Sequence, residues 1–157
     1  MMVDRVSPAL GAEVSGIELV HLDDDGVDAL YSALIEHQVL FFRDQHLAPV
    51  DHAAFGRRFG ELGARHHSYV THPESDDVVV LDWKPGQRPD AAEWHSDMTF
   101  TAEPPFASIL QAVIVPPVGG DTLWASMYSV HDRLDPGLRR DLESLSASHD
   151  PGAFRNG

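Results

Sequence analysis

The sequence predicts one mainly β domain with flanking helices. Five runs of strand length carry the β part, at about residues 12–20, 39–42, 78–81, 107–115 and 122–125. Three stretches with helical spacing or helix start signals carry the rest, at about 24–38, 49–59 and 127–145. The 157 residues show no repeat, low-complexity tract or interdomain linker, and that length suits a single core.

Taken in order, AEVSGIELV (12–20) alternates well enough for a short strand. DDDGVDALYSALIEHQ then places Val27, Leu30, Tyr31, Leu34 and Ile35 at helical spacing, with Asp24 or Asp25 as the cap. Val39–Phe42 is a continuous apolar run expected to be buried on both faces. Pro49 suits the first turn of a second helix, and Gly60 stops it. Val78–Leu81 is a further buried strand, followed by a loop, KPGQRPDAAE, at 84–93. Glu103-Pro104-Pro105 turns the chain, and Ala107–Val115 has the pattern of a long strand. The loop PPVGGD leads to a short strand, Thr122–Ala125, and a mostly helical tail in which Leu138, Leu142 and Leu145 share a face.

Composition narrows the function classes. Eleven Lys and Arg against 25 Asp and Glu give a formal charge of −14, which argues against a nucleic-acid partner, since phosphate binding needs a basic footprint. The absence of cysteine excludes disulfides, thiolate zinc sites, iron–sulfur clusters and cysteine nucleophiles. The start, MMVDRVSPALGAEVSG, lacks a secretory pattern, and no apolar run reaches membrane-spanning length, so a cytoplasmic protein without membrane contact is expected. No His-Glu-x-x-His helix, Gly-x-Ser-x-Gly elbow or phosphate loop is present.

The stretch EWHSDMTF, residues 93–100, carries the chemistry. In an extended segment, residues i and i+2 project to one face, so His95 and Asp97 would point the same way with Cα atoms about 6.5–7 Å apart. That spacing lets an imidazole nitrogen and a carboxylate oxygen converge on one ion at about 2.1 Å from each. Mixed nitrogen and oxygen ligation with open positions suits Fe(II) oxygen chemistry, and Trp94 and Phe100 are candidates for a dry wall. The same tripeptide also fits a histidine hydrogen-bonded to an exposed aspartate.

The wider context decides between these. WHSDMTF, PPFASIL and PPVGGDTLWAS, preceded in order by GAEVSGIEL, HQVLFFRDQ and FGELG, resemble the taurine dioxygenase and alkylsulfatase family of Fe(II)- and 2-oxoglutarate-dependent dioxygenases. The resemblance runs from about residue 8 to 150. It implies that His95 and Asp97 are iron ligands and that Thr122 hydrogen-bonds a carboxylate of 2-oxoglutarate. It also implies that His66 or His67, with Tyr69, holds the sulfonate or sulfate of the substrate. The fold implied is a double-stranded β-helix, or jelly roll, with helices outside.

The chain departs from that pattern. A jelly roll needs about eight strands, and five or six candidates are present. The family's second iron-binding histidine and its 2-oxoglutarate-binding arginine follow well downstream of GGDTLW. His131 and His149 map to family positions that are not ligands, and Arg155 is not expected to stand in for the missing arginine. Residues 1–157 are therefore expected to be the N-terminal portion of a single taurine-dioxygenase-like domain, incomplete at the C-terminus and inactive alone. The exposed apolar faces this leaves predict poor solubility or self-association, including a homo-oligomer.

The activity implied is hydroxylation of a small sulfonate, alkylsulfate or related organic acid, using O2 and 2-oxoglutarate. Segment 90–93 lacks the asparagine typical of taurine enzymes, which leaves the substrate open. The alternative is a non-catalytic jelly-roll fragment or pseudoenzyme that acts through weak metal or protein binding.

Overall fold

A computed structural model describes residues 1–63, 69–84, 86–87 and 92–150. The chain divides into two compact units, Met1–His46 with Gln111–Ser146, and Leu47–Leu110 with the segment from Ala147 onward.

The first unit is built on a three-stranded sheet of order β1 (Met2–Arg5), β2 (Ala12–Ser15), β3 (Leu40–Phe42). β1 and β2 are antiparallel, with Val3 opposite Val14 and Arg5 opposite Ala12. Their turn is held by Ser7, whose hydroxyl donates to Leu10 O at 2.5 Å and accepts from Leu10 N at 3.2 Å. Gly11 closes it at φ +92°, where an added Cβ would lie 2.8 Å from Val6 Cγ2. β2 and β3 run parallel, Ala12 beside Leu40 and Val14 beside Phe42. Parallel neighbours need a crossover, supplied here by helix α1 (Asp24–His37).

The signals that start and stop α1 are local. Asp23 accepts from Gly26 N at 2.9 Å as the cap, so the expectation of Asp24 or Asp25 is corrected by one position. Asp24 and Asp25 occupy the first turn, where they face the positive end of the helix dipole. Gln38 ends the helix in the left-handed region at φ 67°, its N–H donating to Leu34 O. One face of α1 buries Val27 and Leu30, which join Ala12, Val14 and Leu19 in the core of this unit. Tyr31 and Ile35, expected on the same apolar face, are largely exposed. Gln45 clamps the 3-10 turn Leu19–His21, accepting from Leu19 N at 3.0 Å and donating to Ile17 O at 3.2 Å.

The second unit packs helix α2 (Pro49–Arg57) against the hairpin β4 (Thr71–His72) and β5 (Ser75–Val79). Proline opens α2 where its missing N–H costs nothing. Ala53 and Phe55 are buried, and Phe55 meets Phe59 edge-on at 5.2 Å between ring centroids. An ion pair from Arg57 to Asp77 joins α2 to β5. His52 Nε2 lies 3.2 Å from Ile109 O, anchoring the later part of this unit to α2. Two short helices, α3 (Met127–Arg133) and α4 (Pro136–Glu143), follow in the first unit, capped by Ser126 and Asp135. Among the described residues, no helix is long and apolar enough to cross a membrane.

Several expectations are corrected. The described residues are more helical than β, and 107–115 and 122–125 form no strand. Strand residues need a neighbouring ladder for their backbone groups, and these runs have none here. Val113, Ile114 and Val115 are 82%, 92% and 64% exposed. Leu40–Phe42 is half-buried rather than sealed on both faces, and β5 ends at Val79, leaving Leu81 exposed.

Candidate metal centre

His95 and Asp97 meet, but not on a strand. Asp97 opens a turn over residues 97–100, with Met98 at φ 52° and Thr101 N donating to Met98 O at 3.0 Å. The pleat predicted from i, i+2 spacing is therefore replaced by a tight turn. The side chains nevertheless converge, with His95 Nε2 3.3 Å from Asp97 Oδ1.

The far side of each group is tied down. His95 Nδ1 lies 2.7 Å from Glu93 O. A carbonyl can only accept, so Nδ1 carries the proton, and a neutral His95 presents a lone pair at Nε2. Ser108 Oγ donates to Asp97 Oδ2 at 2.6 Å, leaving Oδ1 turned toward the imidazole. Two electron-rich atoms then face each other across 3.3 Å. Such a pair repels unless a proton or a metal cation sits between them. Two donors at about 2.1 Å from one octahedral ion and at right angles would be about 3.0 Å apart, close to what is seen. The donor set, one imidazole and one carboxylate, fits a divalent metal of intermediate hardness.

Access and shielding follow from exposure. The side chains of His95 and Asp97 are 49% and 53% exposed, so a small ligand can reach them. Trp94 is 71% exposed and Phe100 half-buried, so the dry wall expected from these aromatics is not formed by Trp94.

The remaining predicted residues are placed less centrally. Thr122 belongs to the first unit, exposed in the coil between Gly120 and the Ser126 cap of α3. Nearby, Trp124 packs edge-on against Phe41 at 5.3 Å. Gly119 and Gly120 adopt φ +78° and +75°, the turn geometry that only glycine takes readily. Tyr69 is half-buried just before β4, while His66 and His67 lie outside the described residues.

His131 lies between Asp132 at 3.6 Å and Glu143 at 3.3 Å, and His149 Nδ1 lies 2.8 Å from Thr99 Oγ1. Among the described residues, no group of three or more histidine, aspartate or glutamate side chains could hold a metal. His95 and Asp97 thus offer two candidate donors and no third among the described residues. Sequence reasoning missed the two groups that contact this pair, Ser108 and the Glu93 carbonyl. Ser108 had been absorbed into a strand pattern, and a carbonyl carries no residue signal.

The family model for taurine catabolism dioxygenase TauD, TfdA family, matches residues 3–156. The chain is 36% identical to an alkylsulfatase of Acinetobacter baylyi over 95% of its own length and 47% of that protein. It is 38% identical to an alpha-ketoglutarate-dependent sulfate ester dioxygenase of Pseudomonas putida, over 94% of the chain and 48% of the relative. A crystal structure of a taurine dioxygenase from Burkholderia xenovorans superposes with a TM-score of 0.70 at 33% identity, covering 91% of the chain and 51% of that structure. The chain spans about half the length of the curated relatives it matches. With a family match running over nearly all of its residues, the chain belongs to the TauD/TfdA family of taurine catabolism dioxygenases.

Proposed function

We propose that this chain forms the part of an Fe(II)- and 2-oxoglutarate-dependent dioxygenase that contributes His95 and Asp97 as iron ligands. The observation that carries the reading is the pair of opposed donor atoms, His95 Nε2 and Asp97 Oδ1, 3.3 Å apart with their other atoms occupied. Bound iron would supply the centre at which O2 and 2-oxoglutarate are consumed and the substrate is hydroxylated. The Glu93 carbonyl fixes the imidazole tautomer, and Ser108 fixes which carboxylate oxygen faces it. The Thr122 hydroxyl is the proposed donor to a carboxylate of 2-oxoglutarate, and Gly119 and Gly120 supply the turn before it.

Relatives named as an alkylsulfatase and as sulfate ester, sulfonate and phenoxypropionate dioxygenases support a small sulfonate, alkylsulfate or related organic acid as substrate. His66, His67 and Tyr69 are the proposed contacts to its anionic group. A third protein ligand is not found among the described residues, and we place it elsewhere in the whole protein, on the closed jelly roll that its solved relatives support. By itself the chain is proposed to be inactive.

A second reading is favoured by the half-exposed, two-ligand centre: a non-catalytic fragment or pseudoenzyme that binds a cation weakly. Succinate release separates the two. With Fe(II), 2-oxoglutarate and O2, an enzyme containing this chain releases succinate, and Asp97→Asn abolishes it. Release that survives Asp97→Asn contradicts the assignment of the ligands. The chain of 157 residues, assayed alone, is expected to release none.

A further inference from the structure

We propose that Ser108 is a positioning residue for Asp97, setting which carboxylate oxygen is presented beside His95 Nε2; this role rests on the metal reading above. Ser108 Oγ donates to Oδ2 at 2.6 Å, the short distance expected of a hydroxyl bonded to an ionised carboxylate. The other oxygen, Oδ1, is the one that faces the imidazole. Rotation about the terminal bond of an aspartate is intrinsically soft. Asp97 is half-exposed, so burial does not hold its carboxylate. The Ser108 hydroxyl does so from 11 residues away, after Pro104 and Pro105 have turned the chain back.

The chemistry fits the role. A hydroxyl has one proton, and here it is given to Oδ2, so Oδ1 keeps its lone pairs for a metal. His95 has the matching arrangement, with Nδ1 on the Glu93 carbonyl and Nε2 presented. Both donors are therefore oriented before a cation arrives. Groups that orient metal ligands in this way typically change metal affinity by about 10–100-fold when removed.

The test is Mn(II) binding to the metal-free full chain, read by water-proton relaxation, for the wild type, Ser108→Ala, Ser108→Thr and Asp97→Asn. Ser108→Ala is expected to weaken binding by about 10–100-fold, and Ser108→Thr, which keeps the hydroxyl, to restore most of it. Ser108 is exposed, so thermal melts of both variants should overlay that of the wild type. Wild-type affinity in Ser108→Ala beside lost affinity in Asp97→Asn would overturn the Ser108 role and leave the metal centre standing. No saturable binding in the wild type, or binding unaffected by Asp97→Asn, would overturn the metal centre and the Ser108 role together.

Discussion

Asp97→Asn should raise the stability of the metal-free chain while removing its metal site. With the proton of a neutral imidazole held at Nδ1 by the Glu93 carbonyl, His95 Nε2 and Asp97 Oδ1 are two acceptors 3.3 Å apart. Asparagine can keep its oxygen on the Ser108 hydroxyl and turn its amide nitrogen toward Nε2. One repulsive contact then becomes one hydrogen bond. A neutral hydrogen bond contributes about 0.5–1.5 kcal/mol, and half-exposure of both side chains puts the gain at the lower end. For a domain of this size about 0.5–1 kcal/mol corresponds to a rise in Tm of about 1–4 °C. The assay is a thermal melt of both proteins in chelator. A lower Tm for Asp97→Asn, or a rise of the same size in a His95→Ala background, would refute the opposed lone pairs.

Further predictions address the fold. Leu30 is fully buried, so Leu30→Ala should cost about 2–4 kcal/mol in urea denaturation, and a loss under about 1 kcal/mol would remove it from the core. Asp23→Ala should cost about 1 kcal/mol as a lost cap, whereas Asp24→Ala should cost clearly less; equal losses would contradict Asp23 as the cap. Ile114 is 92% exposed in an apolar run, so Ile114→Lys should lower self-association in sedimentation velocity without lowering Tm.

Elements that depend on their own sequence were the legible ones. α1 follows from apolar spacing and a capping aspartate, and α2 from proline at its start. The choice among Asp23, Asp24 and Asp25 was not legible, because three adjacent carboxylates offer the same cap chemistry and only backbone geometry selects one. Residues 107–115 show the opposite case. Their apolar β-branched pattern describes a strand, but a strand exists only against a neighbour, and none borders them here.

The candidate site divides in the same way. The proximity of His95 and Asp97 was legible from their spacing, although a turn rather than a pleat brings them together. Ser108 was not, since its contact depends on how the chain returns after Pro104 and Pro105. Thr122 and Tyr69 are candidates only through the surrounding motifs, and nothing in their own geometry singles them out.

Paramagnetic broadening by substoichiometric Mn(II), followed residue by residue in NMR spectra of the labelled chain, reads the proposed shared cation most directly. Signals of residues 94–98 and of Ser108 should be lost first, and His95→Ala should abolish the effect. Broadening centred instead on the carboxylates of residues 23–25 or on His131 and Glu143 would show that the cation prefers another place, and that His95 and Asp97 do not hold one between them.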